Sequence, residues 1–262
     1  ARIARILAGE NDLTDDERRY VLVEDFIPGT EVAVEGLLDN GRLQLLAVFD
    51  KPDPLDVPYF EETDYITPSR LSARVQEQIR EQVHAACSAY GLRQGPIHAE
   101  CRMNAQGIWI LEVAARTIGG LCARLLQVGT GFGLEELVLT QALGRPLAPP
   151  ADMGAAGVLM IPTTAAGILR RVEGQSAARK IPFIEEVMIY IREGYELVPW
   201  PEGSSYLGFI FSRASTPQQA EAALRAAYAQ LNIVVAPLWK GNVATRASAN
   251  SGMASGESCT AV

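Results

Sequence analysis

Apolar and polar residues alternate with period two in some stretches of the chain and with a helical period in others. Glu31–Leu38 and Arg42–Phe49 flank Asp39-Asn40-Gly41, a strong β-hairpin turn signal. Pro96–Met103 and Ile108–Ala114 form a second strand pair around Asn104-Ala105-Gln106-Gly107. Between the hairpins Ser72 caps a helix that carries Val75, Ile79, Val83 and Ala86 on one side and stops at Gly91. Upstream, residues 1–9 read as a helix ending at Gly9, Glu10–Glu17 as an acidic loop, and Tyr20–Ile27 as a strand broken by Pro28-Gly29. Residues 50–70, rich in prolines, acids and aromatics, read as a long irregular loop, a common place for function on a sheet scaffold. Two short helices are expected over 121–128 and 133–143, and Pro146, Pro149 and Pro150 mark a boundary. A second unit over 152–240 has strands near Val158–Ile161, Glu186–Ile191, Tyr206–Arg213 and Ile233–Val235. Its helix starts at Thr216-Pro217 and runs through Gln230. Residues 241–262 are small, polar and aperiodic, and read as a flexible tail.

Composition narrows the class. With 48% hydrophobic and 21% charged residues, the 262-residue chain is an ordinary globular sequence with ample core material. Its 31 acids against 23 Lys and Arg give a net charge of -8, which argues against a phosphate-backbone binder. No apolar run reaches the ~20 residues that span a bilayer and no signal-peptide core opens the chain, so a soluble cytoplasmic protein is expected. Cys87, Cys101, Cys122 and Cys259 are scattered without a C-x-x-C pair, and His84 and His98 are the only histidines. Neither a structural zinc site nor a disulfide framework is expected. The chain opens at Ala1 inside a helical pattern and is expected to be a portion of something longer.

The chemistry concentrates in residues 95–120, GPIHAECRMNAQGIWILEVAARTIGG. On the first strand Ile97, Ala99, Cys101 and Met103 share one face, and His98, Glu100 and Arg102 the other. On the second, Trp109, Leu111 and Val113 form the apolar side, with Ile110, Glu112 and Ala114 opposite. If the apolar faces pack into one core, Glu100 and Glu112 project together from the far side. In a register that sets them opposite each other, their repulsion at ~4 Å is about 4 kcal/mol for an effective dielectric near 20. Protonation of one acid relieves it, and so does a hard cation with oxygen ligands such as magnesium. The solvated side of an edge hairpin gives the same pattern, so both readings stand. Arg116 continues the parity of Glu112, and Gly119-Gly120 then offers unencumbered backbone amides to an anion.

The succession VEDFIPGTEVAVEGLL (21–38), FEETDYITPS (60–69), the helix, and HAECRMN…GIWILEVAARTIGG resembles the C-terminal half of an ATP-grasp fold. More narrowly it is similar to carboxylate–amine ligases, including the L-amino acid ligases. The resemblance covers about residues 1–147, and residues 152–240 look like the small C-terminal domain of those ligases. The fold it implies is α+β: a partial ATP-grasp domain, an antiparallel sheet with helices, followed by a small α+β domain. The function it implies is an ATP- and magnesium-dependent joining of a carboxylate, that of an amino acid, to an amine through an acyl-phosphate.

The resemblance also implies site residues. Glu24, Asp25, Phe26 and Ile27 match the segment that pairs with adenine, and Glu31 the acid on the ribose hydroxyls. Glu100 and Glu112 match two magnesium ligands, and Arg116 the arginine that steadies the transferring phosphoryl group. Glu62 matches a substrate-pocket acid, and Gly119-Gly120 would present amides to substrate or phosphate. Ala114 stands where the family often has Asn, which weakens a second magnesium site. Tyr65 stands where many members carry His, which puts the second substrate in question. His98 fits a supporting partner of Glu100, or a surface or satisfied histidine. The two phosphate-binding lysines of the family have no counterpart, and Lys51 is a remote candidate. Small-molecule substrates are expected, with neither nucleic acid nor membrane, and a homodimer is possible. The alternatives are a biotin carboxylase-like or purine-pathway ATP-grasp enzyme, or a non-catalytic truncated module that only binds.

Overall fold

The computed structural model describes residues 3, 7, 14, 16, 17, 19–53, 63–127, 131–146, 154–203 and 205–238. The two sequence hairpins form as read. β1 (Thr30–Asp39) pairs antiparallel with β2 (Arg42–Asp50) across the Asn40-Gly41 turn, where both residues have positive φ. β4 (Gly95–Asn104) pairs with β5 (Gly107–Ala114) and also with β1. β3 (Asp64–Thr67) then joins β2 to β6 (Ala155–Ile161), and β10 (Gly208–Ala214) lies between β6 and β8 (Ile184–Ile189). The result is one eight-stranded sheet, β5-β4-β1-β2-β3-β6-β10-β8, to which chain on both sides of residue 150 contributes. A three-stranded sheet, β11 (Asn232–Ala236), β7 (Gly167–Glu173) and β9 (Glu196–Leu197), packs beside it.

Helices cover the sheets where their apolar stripes dictate. In α1 (Ala73–Ala89) the Ser72 hydroxyl accepts from the Val75 amide, and Ile79, Val83 and Cys87 pack on Val32, Val34, Ala99 and Cys101 of the sheet. The opposite face is covered by a 3-10 turn (Cys122–Leu125) and α2 (Leu134–Ala142), whose apolar residues meet Ala33, Phe49, Tyr65, Met160 and Phe209. A short α3 (Gln175–Ala178) and α4 (Pro217–Tyr228) close the far end. Thr216 caps α4, and Ala223, Leu224 and Ala227 are buried on its inner side. Gly157 admits α4 closely, since an added Cβ would run into Leu224 and Ile66.

The structure corrects the sequence reading in four places. Tyr20–Ile27 joins no sheet; it is extended and mostly exposed, with Leu22 and Val23 in solvent. The 50–70 segment is not wholly irregular, because Asp64–Thr67 forms the strand that links the two halves of the large sheet. β7 and β9 are present where none was read. Finally, the pairing of β4 and β5 shifts between Glu100 and Cys101: Glu100 faces Glu112, but Cys101 faces Ile110. Leu111 is the extra residue of this β-bulge, so the facing parity of β5 reverses. Ile108 and Ile110 therefore pack with Val113 under α1, while Trp109 and Leu111 are exposed. The expected helix over 1–9 and the tail over 241–262 lie largely or wholly outside the described residues. No described helix is long and apolar enough to cross a membrane.

Candidate active site

Strand parity builds a charged strip on the sheet face away from α1. Glu31, Ala33 and Glu35 of β1 stand opposite Arg102, Glu100 and His98 of β4, and the last two stand opposite Glu112 and Ala114 of β5. Lys51 follows Asp50, which pairs with Val32, so its side chain reaches the same strip beside Glu31. The Val32, Val34, Ala99 and Cys101 side chains, at the intervening positions, are buried under α1. Alternation thus sorts acids and bases onto one side and core onto the other.

Ion pairs run the length of this strip. Lys51 Nζ lies 2.7 Å from Glu31 Oε1 and 2.9 Å from Glu100 Oε1, with the Tyr65 ring centroid 5.2 Å away. Arg102 Nε donates to Glu31 Oε2 at 2.7 Å, and its NH1 donates to the Ile27 carbonyl at 2.8 Å. Each Glu31 oxygen thus has an internal partner and a second lone pair to spare. His98 Nδ1 is 2.7 Å from Glu35 Oε1, and its Nε2 is 3.7 Å from Glu100 Oε1. Burial disfavours the imidazolium, but the hydrogen bonds to Glu100 and Glu35 and their charges outweigh it, and the His98 pKa is pushed up to about 9. Burial pushes the Glu35 carboxyl up as well, against His98, the Ile118 amide and Arg116. At the solvent side, Arg116 NH2 lies 3.7 Å from Glu112 Oε1, and both side chains are more than half exposed.

Beside the strip opens a cavity of about 550 Å³, with His98, Glu100 and Arg116 on one side, Thr117 to Gly120 along its edge, and Tyr65, Met160, Tyr206 and Phe209 on the other. It is polar at one end and aromatic at the other. A Cβ added at Gly119 or Gly120 would meet nothing within 4 Å, and Gly120 has φ +61°, so this loop presents backbone without side-chain cover.

The structure brings together Glu31, Glu100, Glu112, Arg116, Tyr65, Gly119 and Gly120. Glu24 and Asp25 sit apart on the exposed segment; Phe26 and Ile27 reach the strip through Arg102, whose guanidinium carbon lies 4.8 Å from the Phe26 ring centroid. Glu62 lies outside the described residues. Lys51, read as a remote candidate, is buried at 6% exposure, and His98, which parity placed beside Glu100, is buried and hydrogen-bonded to Glu35. Glu35 was not singled out in the sequence, although parity, four residues from Glu31, puts it on the same face.

Glu100 and Glu112 are a pair of acids, and no group of three His, Cys, Asp or Glu residues able to hold a metal occurs among the described residues. Glu100, which lines the cavity, and its cross-strand partner Glu112 are nevertheless a donor set that suits magnesium, which keeps several waters and takes one or two protein carboxylates together with substrate phosphates. Cys87, Cys101 and Cys122 are buried thiols, and burial first, then the charges of Glu100 and Glu31, push the Cys101 thiol up to about 12.

Comparison with known proteins agrees with this architecture. Residues 8–124 match the ATP-grasp domain family, and residues 159–236 match the L-amino acid ligase C-terminal domain 2. The L-amino acid ligase from Bacillus licheniformis superposes with a TM-score of 0.72 at 30% identity, covering 80% of this chain and 53% of that one. Phosphoribosylglycinamide synthetase from Anaerococcus prevotii superposes with a TM-score of 0.67 over 81% of this chain and 55% of that one, at 16% identity, which speaks for the fold alone. Carnosine synthase 1 of Gallus gallus is 33% identical over 131 residues, 50% of this chain and 14% of its own length. The human carnosine synthase 1 is 30% identical over 57% of this chain and 18% of its own. The chain thus spans about half of the matched ligase structure and under a fifth of these carnosine synthases. Sheet topology, the order of the two domain models and the superposed ligase agree on an ATP-grasp fold followed by a domain similar to the C-terminal domain of L-amino acid ligases.

Proposed function

We propose that this chain carries the magnesium-binding and acyl-transfer half of a ligase that couples ATP cleavage to the joining of an amino acid carboxylate and an amine. The observation that supports it most is the direct cross-strand pairing of Glu112 with Glu100, which lines the cavity. In this reading a substrate carboxylate oxygen attacks the γ-phosphorus of ATP, the bond to the β-phosphate oxygen breaks and ADP leaves. The amine nitrogen then attacks the acyl carbon, phosphate departs with the C–O bond electrons, and the amine loses a proton.

Glu100 and Glu112 would hold magnesium, which supplies positive charge against the phosphate oxygens. The residues of this chain do the rest by placement and field. Arg116, exposed at the rim, faces the charge that spreads over the transferring phosphoryl group. The Gly119-Gly120 amides offer further donors to the same oxygens or to the substrate carboxylate. Lys51, pinned between Glu31 and Glu100, keeps the first acid from turning away from the site and ties the ribose-binding acid to the metal-binding one. Phe26, Ile27 and the backbone of Glu24 and Asp25 form the adenine side, at the opposite end of Glu31. Tyr65 belongs to the substrate pocket, whose apolar wall from Met160, Tyr206 and Phe209 excludes water from the acyl group; the role of a substrate-pocket acid that the resemblance gives Glu62 falls on a residue outside the described ones. Small molecules are the partners this site requires.

The test is a screen of amino acid pairs for stimulated ADP and phosphate release by the natural full-length protein, with product identified by mass spectrometry. A pair that stimulates release and yields an amide, with at least 100-fold loss in Glu112→Gln, supports the proposal. Absence of stimulation across amino acids, or an undiminished Glu112→Gln variant, overturns it.

A further inference from the structure

Beneath the cavity lies a carboxylate that the reaction above does not use. Glu35, in the middle of β1, has no exposed surface; one oxygen binds His98 Nδ1 at 2.7 Å, and Oε2 has no hydrogen-bond partner. Its cross-strand neighbours are His98 on β4 and Ala47 on β2, and Ala33 precedes it on the same face. A position walled by alanines and by the buried Ile118 would be filled for packing alone by an apolar side chain. A buried acid with one oxygen unsatisfied weakens the fold, so its presence calls for another reason.

Its contacts supply one. His98 gives its Nδ1 side to Glu35 and thereby turns Nε2 towards Glu100 Oε1, 3.7 Å away, while the ring itself lines the cavity. Across the cavity from His98 and Glu100 runs the loop whose Arg116, Gly119 and Gly120 edge it. One buried carboxylate thus reaches an acid of the cavity through an imidazole.

Resting on the ligase reading, we propose that Glu35 is a positioning residue of the transfer site: it fixes His98 and, through it, Glu100. It touches no substrate. Its role is to keep that acid in a constant place at the cavity, the kind of alignment on which transfer rates depend steeply.

Two substitutions separate this from a packing role. Glu35→Gln keeps the shape and an acceptor for His98 but removes the charge, and Glu35→Leu removes both. In the natural full-length protein, with the amino acid pair found by the screen, Glu35→Leu is expected to lower kcat at least 30-fold and Glu35→Gln by less, with the KM for ATP within twofold of wild type. Glu35→Gln, which keeps an acceptor for His98, is expected to melt close to wild type, whereas Glu35→Leu leaves the buried imidazole without its partner and is expected to melt lower. If Glu35→Leu fails to fold, Glu35→Gln carries the test, with at least a fivefold drop in kcat expected. A second readout needs no turnover. The sequence holds only two histidines, so ¹⁵N-histidine NMR of the 262-residue chain resolves both. A downfield His98 Nδ1–H proton present in wild type should vanish in Glu35→Leu while His84 is unmoved. If wild type turns over no amino acid pair, the ligase reading fails while the NMR still judges the positioning. Full kcat in the variants, or in Glu35→Gln a loss that only follows a lower melting temperature, or an unchanged His98 proton, overturns the proposal.

Discussion

Replacing Lys51 by Met removes the cation at the centre of the strip while keeping most of the side-chain volume. Its ammonium lies 2.7 Å from Glu31 and 2.9 Å from Glu100, and the lysine side chain is 3% exposed. Removing one partner of a buried ion pair typically costs about 3–5 kcal/mol, because the other charge is left uncompensated. Here the loss is smaller, since Glu31 keeps Arg102 and Glu100 keeps His98 and 22% exposure to water. About 2–3 kcal/mol is expected. For a chain of this size each kcal/mol lowers the melting temperature by roughly 2–4 °C, so Lys51→Met should melt about 4–12 °C below wild type by circular dichroism. Adding Glu31→Gln should deepen the loss rather than recover it, because the buried Arg102 then loses its carboxylate in turn. Excess magnesium should raise the variant's melting temperature more than that of wild type, by placing a cation beside Glu100 again. A Lys51→Met protein that melts within 1 °C of wild type would show that the ammonium is hydrated and not seated between the acids.

Other perturbations test other parts of the structure. Burial, opposed by Arg225 and reinforced by Asp53 and Glu221, pushes the Asp64 carboxyl up to about 7 from 3.8. A carboxyl with a raised folded pKa favours the folded state at low pH and loses that advantage as pH rises from about 4 through about 7. Asp64→Asn should therefore gain up to ~4 kcal/mol in urea unfolding at pH 8 and little near pH 4; equal effects at the two pH values would contradict the assigned burial. Ile79→Ala, which empties a fully buried site where α1 meets the sheet, should cost about 2–4 kcal/mol in the same assay, and a loss below 1 kcal/mol would mean that the helix is not docked there. Arg116→Ala, at an exposed rim position, should leave the melting temperature within about 2 °C while lowering amino-acid-dependent phosphate release at least tenfold; intact turnover would remove it from the site.

The hairpins were legible because their evidence is local. Asp39-Asn40-Gly41 fixes a turn, and alternation in Glu31–Leu38 and Pro96–Met103 assigns faces without knowledge of any partner. The same parity placed Glu100 and Glu112 on one side. It misassigned Trp109 and Leu111, because a one-residue bulge reverses parity and no residue type announces it. β3 was hidden for another reason: four residues inside a proline-rich segment become a strand only because β2 and β6 stand on either side to accept them. Lys51 was misread for want of a register. Its position next to Glu31 follows from the pairing of Asp50 with Val32, which the hairpin turn alone does not supply, because the β1–β2 register shifts by one residue between Glu35 and Gly36. Tyr20–Ile27 shows the converse, an apolar run with strand composition and no described strand beside it to pair with. The nucleotide-binding roles rest on the family likeness, since exposed Glu24 and Asp25 carry no structural mark of their own.

The claim on which the account depends is that Glu100 and Glu112 jointly hold a divalent ion. Crystals of the natural full-length protein grown with manganese in place of magnesium and a non-hydrolysable ATP analogue test it directly through the anomalous signal of the metal. The account predicts a peak within coordination distance of both carboxylates, lost when either is changed to Gln. A peak elsewhere, or one that survives both substitutions, contradicts it.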